Sequence, residues 1–162
     1  MQNIIYEVHK LLLKKGKTLA IAESCTGGLL SSLLTKNSGA SKYLKLGVVA
    51  YSNEAKQAIL RVPHAVILRH GAVSRETAVI MAKNVRRIAK VDFGIAITGI
   101  AGPKGASGYK PVGRVFIAVS SPKETTCVKS LFKGKRIAIQ RESARKALRL
   151  LKKTVQCAPS SL

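Results

Sequence analysis

The chain has no tryptophan, seven other aromatic residues, three cysteines, three histidines and only seven acidic residues in 162. Each shortage excludes something. Cys25, Cys127 and Cys157 are odd in number and far apart, with no CxxC pair, and His9, His64 and His70 have no metal-ligand spacing. A structural zinc site is therefore not expected, and neither is any other metal or cofactor. No apolar run reaches the length of a membrane span. Residues Met1–Glu7 lack a basic region followed by an apolar core, so no signal peptide is visible. The protein reads as cytoplasmic, with no membrane partner.

The shortage of acids leaves 29 Lys and Arg against seven Asp and Glu, a net charge of +22. Nucleic acid is the first partner such a charge suggests. Its distribution argues against that partner. Basic residues run along the whole chain, and the densest part, Lys129–Lys153, interleaves no aromatic after Phe132 for bases to stack on. The run reads as a solvated face, with attraction of phosphate-bearing small molecules as a secondary benefit. A hydrophobic fraction of 46% in short blocks broken by Gly and Pro reads as globular, and the length suits one domain, 1–162, with its core over about 4–155.

What is present is organised around Thr18–Leu34. Leu19–Ala22 is an apolar run that fits a buried strand. Glu23-Ser-Cys-Thr-Gly-Gly28 breaks it, and Leu29, Leu30, Leu33 and Leu34 then share one helical face. Strand, glycine-rich turn and helix would expose backbone N–H groups at a helix N-terminus, where they favour a phosphate or a developing oxyanion. Ser24, Cys25 and Thr26 stand among them, and a nucleophile beside anion donors is the minimum equipment for acyl transfer.

Residues 2–15 read as an amphipathic helix burying Ile4, Ile5, Val8, Leu11 and Leu12, stopped at Gly16. Residues 37–41 are a loop. Tyr43–Tyr51 is a strand, and Ser52 or Asn53 caps a short helix ended by Val62-Pro63. Residues 64–71 are mixed. Ser74 caps a helix whose inner face is Ala78, Met81/Ala82, Val85 and Ile88/Ala89. Asp92–Thr98 is a central strand ending in a second glycine-rich turn, Thr98–Pro103. Residues 112–119 and 126–132 form an antiparallel hairpin, Lys135–Val155 is the last helix, and 157–162 is a frayed tail. This order suggests one mixed sheet with helices on both faces. Both glycine-rich turns leave carboxyl ends of strands, where open α/β sheets bind ligands, so Ser24 and Thr98 share a crevice if their strands are parallel neighbours.

The segments Ala22–Leu30, Gly47–Lys56, His70–Ser74, Thr98–Pro103 and Lys110–Gly113 together resemble the C-terminal domain of the CinA (competence/damage-inducible protein) family, over roughly residues 4–153. The resemblance implies a three-layer α/β/α sandwich with a mixed, mostly parallel sheet and one antiparallel hairpin. It also implies nicotinamide-nucleotide amidase activity, converting nicotinamide mononucleotide to nicotinic acid mononucleotide and ammonia in pyridine nucleotide recycling. Some members carry an extra N-terminal domain, and this chain looks like the stand-alone form. With the apolar content, the resemblance leads us to expect a homo-oligomer.

On matching positions the resemblance implies Ser24 as nucleophile and Lys56 as general base, since a lysine can serve where burial or neighbours lower its pKa. It makes Tyr51 a group that orients Lys56 or relays a proton. Thr98 and the amides of Cys25, Thr26, Gly27 and Gly28 would hold the substrate or its oxyanion. Gly99 and Gly102 would admit backbone close to the ligand, and Arg136 would contact phosphate. Glu23 would bind a ribose hydroxyl or cap a neighbouring element. Lys104, Tyr109, Lys135 and Gln140 depart from the family pattern and bear on substrate affinity and identity rather than on the chemistry.

Plainer readings stand beside these. Ser24 could be an N-cap, the commonest role of serine before a helix. Cys25 could be the nucleophile instead. Lys56 alone reads as a solvated helix residue, Thr98 as a turn hydroxyl, and His70 as structural. The rival functions are a nucleotide-binding domain without catalysis and a basic nucleic-acid-binding module.

Overall fold

The computed structural model describes residues 1–158; of the tail expected over 157–162, the last four residues lie outside the described residues. Five strands form one sheet in the order β2-β1-β3-β4-β5. They are β1 (Leu19–Glu23), β2 (Leu44–Val49), β3 (Phe93–Gly99), β4 (Arg114–Ser120) and β5 (Thr125–Leu131). β1 is parallel to both neighbours, while β4 runs antiparallel to β3 and pairs antiparallel with β5 as the expected hairpin. Among the described residues six α-helices cover the sheet, α1 (Gln2–Lys15), α2 (Leu29–Thr35), α3 (Asn53–Ala58), α4 (His64–His70), α5 (Arg75–Ala89) and α6 (Arg136–Gln156), and a 3-10 turn, Ala40–Lys42, ends the expected loop before β2. Among the described residues no helix is long and apolar enough to cross a membrane.

The two sheet faces differ in bulk, and that sets the layers. Leu19, Ile21, Ile95, Ile97, Val115 and Ile117 pack under α1, α2 and α6. The opposite face carries Ala20, Ala22, Ala96 and Ala118 under Met81, Ala82 and Val85 of α5. Small residues there let α5 lie close. A Cβ on Gly94 would stand 2.2 Å from the Ala82 carbonyl oxygen and 2.6 Å from Arg86 Cβ. Gly94→Ala is thus expected to push α5 off the sheet and destabilise the fold by about 1–3 kcal/mol, read as a lower urea midpoint.

Local signals act as anticipated at several ends. Gly16 closes α1 in the left-handed conformation, its N–H reaching back to Leu13. Ser52 and Ser74 cap α3 and α5 through the amides of Ala55 and Thr77. Two segments differ. Residues 64–70 are helical, although only Ile67 of that stretch is buried, so no periodicity announces it. Ile88 is 44% exposed, because the buried face of α5 ends at Val85.

Candidate active site

The carboxyl ends of β2, β1 and β3 meet at one edge. The Ser24 amide donates to the Ile97 carbonyl at 3.0 Å and the Ala50 amide to the Glu23 carbonyl at 2.8 Å. Parallel neighbours β1 and β3 thereby bring the two glycine-rich turns together. They border a cleft of about 220 Å³, with Ser24 and Cys25 on one side, Tyr51, Gly99 and Gly102 around it, and the cations Lys104 and Arg136 at its mouth.

Glu23 shapes the turn from beneath. It is fully buried, and its carboxylate accepts from the amides of Gly28, Leu30 and Ser31 and from the Ser31 hydroxyl, at 2.7–3.2 Å. Of its two expected roles it performs the cap. Four donors and full burial remove it from the ribose-binding set. The same bonds correct the expected anion site, because a carboxylate already occupies the N-terminus of α2. The Gly28 amide serves Glu23, and the Gly27 amide serves the Ser24 carbonyl at 3.0 Å. Among the described residues the amides of Cys25 and Thr26 remain without an acceptor, and the Thr26 hydroxyl is buried without a partner.

With the helix capped by Glu23, Ser24 is not needed as an N-cap. Its side chain is 7% exposed, and its hydroxyl makes no hydrogen bond among the described residues. Cys25 is no rival nucleophile. Burial pushes its thiol up to about 12, and the nearby Lys56 and Arg136 charges offset this only in part, so the thiol stays protonated near neutral pH.

Lys56 is not solvated but 2% exposed. Its Nζ donates to the carbonyls of Ala50, Tyr51 and Ser52 at 2.9, 3.2 and 3.3 Å. Burial lowers its pKa, with Cys25 and Glu54 pulling the other way. No bond joins it to Ser24. Tyr51 reaches Lys56 only through its main chain. Its ring is 58% exposed beside the cleft, and its hydroxyl accepts from Arg136 at 2.6 Å, so the side chain does not orient the lysine. Arg136 also donates to the Gly102 carbonyl at 2.7 Å and ties the two walls together.

Three further positions change meaning. Thr98 is 1% exposed and donates to the Ala72 carbonyl at 2.8 Å, which fastens the end of β3 and keeps it off the cleft. Gly99 and Gly102 border the cleft, but a Cβ on either would strike β4 or its lead-in, meeting Val115 at 2.7 Å or Val112 at 2.6 Å. Packing, rather than ligand approach, requires them. Gln140, noted only as a departure from a pattern, donates to the Cys25 carbonyl at 2.9 Å and steadies the turn. Its signal was its spacing: one helical turn after Arg136, it shares that face of α6. His70 is peripheral, 3.8 Å from Glu76.

The arrangement offers a free hydroxyl, two free amides beside it, a buried amine close by and cations at the rim. Comparison with known proteins places this geometry in company. A crystal structure of the competence damage-inducible protein A from Klebsiella pneumoniae subsp. pneumoniae MGH 78578 superposes with a TM-score of 0.94 at 30% identity, covering 98% of each chain. A competence/damage inducible protein from Agrobacterium tumefaciens gives 0.92 at 33%, covering 96% of this chain and 94% of that one. A CinA-like protein of Anaeromyxobacter dehalogenans is 47% identical over 141 residues, 87% of this chain and 35% of the relative. The chain thus spans about a third of the length of the curated relatives it matches. The family model described as the CinA C-terminal domain matches residues 1–155, and the chain belongs to that family.

Proposed function

We propose that the cleft hydrolyses the carboxamide of nicotinamide mononucleotide, releasing ammonia and nicotinic acid mononucleotide. The observation that carries this reading is the Ser24 hydroxyl, which no hydrogen bond engages among the described residues and which borders a cleft that Arg136 and Lys104 also line. Such a cleft suits a substrate with an amide at one end and a phosphate at the other.

In this mechanism Ser24 Oγ attacks the carboxamide carbon while its proton passes to the neutral Lys56 amine. The former carbonyl oxygen, now an oxyanion, faces the Cys25 and Thr26 amides. Collapse breaks the C–N bond as the Lys56 ammonium returns the proton to the carboxamide nitrogen, which leaves as ammonia. Water then cleaves the acyl ester and restores Ser24. Lys56 must release one carbonyl of residues 50–52 to turn toward Ser24, and its burial favours the neutral form this needs.

A second reading, nucleotide binding without turnover, draws on the same lysine, whose bonds all go to carbonyls and none to Ser24. Ammonia release from nicotinamide mononucleotide separates the two: turnover supports the amidase, and saturable binding without ammonia supports the other. The rim cations give a sharper test. Arg136→Ala should raise KM for the mononucleotide by about 10–100-fold, as loss of a charge-assisted contact does, and leave the phosphate-free riboside unchanged. Equal effects on both would mean that Arg136 only holds Tyr51 and Gly102.

A further inference from the structure

At the opposite edge of the sheet, away from Ser24, a second cleft of about 220 Å³ lies between α5 and the turn that joins β4 to β5. Lys83, Arg86 and Arg87 line it from α5, at the i, i+3, i+4 spacing that gathers side chains on one helix face. Lys123 faces them from the hairpin turn. That turn is rigid: the Ser121 hydroxyl accepts from the amides of Lys123 and Glu124 at 3.3 and 3.1 Å, and the Ser121 amide donates to the Glu124 carbonyl at 2.8 Å.

Among the described residues none of these four cations forms an ion pair, although the Glu124 carboxylate borders the same cleft. Arg86 is held most firmly. The close approach of α5 at Gly94 lays its stem on β3, and its Nε is buried with no hydrogen-bond partner. A buried guanidinium nitrogen without an acceptor is an unmet demand that an oxyanion satisfies. Cations in the last turn of a helix also complement its dipole, which accounts for the charge of Arg86 and Arg87. It does not account for Lys83, a turn earlier, nor for Lys123 across the cleft.

We propose that this cleft is a second anion site, taking a phosphate or diphosphate group in contact with Arg86, flanked by Lys83, Arg87 and Lys123. The site is separate from the Ser24 cleft and does not rest on the reaction assigned there. The shared chemistry is the phosphate oxyanion, carried either by a small phosphate ester or by the backbone of a nucleic acid.

The test titrates inorganic pyrophosphate into the isotope-labelled 162-residue chain carrying Arg136→Ala at low salt, following amide resonances. The Arg136→Ala background weakens competing binding at the other cleft. Saturable shifts at Arg86, Ser121 and Lys123 are expected, and Arg86→Met should weaken them at least about tenfold, the effect of losing one charge-assisted contact. The double variant Lys83→Ala/Arg87→Ala touches only exposed side chains and should do the same, should Arg86→Met perturb the fold. Shifts confined to the surroundings of Ser24, or shifts that both folded variants leave intact, overturn the proposal. A short DNA duplex identifies the source. Displacement of pyrophosphate by the duplex, falling steeply with salt, marks a phosphodiester backbone. Pyrophosphate binding that the duplex leaves unaffected marks a small phosphate ester.

Discussion

Ser24→Ala is expected to abolish ammonia release from nicotinamide mononucleotide, lowering kcat by at least about 10³-fold, while the protein unfolds at the same denaturant concentration as the wild type. The second half of the statement gives the first its force. In most strand–turn–helix units a serine at this place caps the helix, and its removal costs stability. Here Glu23 performs that duty with four bonds, and among the described residues the Ser24 hydroxyl makes none. Its deletion therefore removes a reactive group and little else, with a stability change within about 0.5 kcal/mol. Cys25→Ala should leave the rate largely intact, because a thiol pushed up to about 12 supplies almost no thiolate at neutral pH. A fully active Ser24→Ala protein would sink the assignment of the nucleophile.

The second large effect belongs to Lys56. Replacement by arginine keeps a cation that can donate to the carbonyls of residues 50–52 but cannot surrender a proton at accessible pH. A loss of about 10²–10⁴-fold in kcat is expected, the usual worth of a general base. Replacement by methionine should cost as much activity and also stability, because it leaves the Ala50 and Tyr51 carbonyls without their donor, while the Ser52 carbonyl keeps the Lys56 amide. The pH profile of the wild type carries the sign. The amine accepts a proton only when neutral, so kcat/KM should rise with pH up to the pKa of Lys56. Burial holds that pKa below the ordinary value of 10.5. Stability should follow the same direction. Below the depressed pKa the folded protein carries a buried ammonium that the unfolded chain keeps in water. That cost is relieved as pH rises from the folded value toward 10.5, so the wild type should gain stability over Lys56→Met across that window. A flat rate profile, or an active Lys56→Arg enzyme, would remove the lysine from proton transfer.

Much of this scaffold was legible in the chain because its signals are local. Ser52, Ser74 and Gly16 each act on residues within five positions. The apolar runs of β1 and β3, each followed by glycines, announced two turns at one sheet edge. What escaped was whatever depends on chain elements meeting. α4 buries only Ile67 in seven residues, too few for a period to show. For Glu23 the cap was one of two expected roles; what did not show was which, because it caps from the end of a strand at a spacing to Ser31 that resembles no capping pattern. Thr98 looked like a ligand of the crevice until the loop at Ala72 arrived to accept its proton. The three carbonyls around Lys56 became a cage only because α3 turns back on the chain that leaves β2. Gln140 is 115 residues from the carbonyl it holds.

The carboxylate under the Ser24 turn belongs to a set with almost no redundancy. Of seven acids in the chain, Glu23 seals a helix end, Asp92 binds the Thr18 amide and hydroxyl and pairs with Lys17, and Glu7 joins α1 to Lys152 of α6. In most proteins a lost carboxylate has substitutes nearby, and acid conditions remove many weak contributions a little at a time. Here each of these fasteners is a single copy, set in a chain that already repels itself with 22 surplus positive charges. Acid therefore opens one specific seam, where Asp92 joins the starts of β1 and β3: against the opposing effect of burial, the Thr18 amide and hydroxyl and the Lys17 charge hold its carboxyl below the ordinary value, so that stability is lost as pH falls through it.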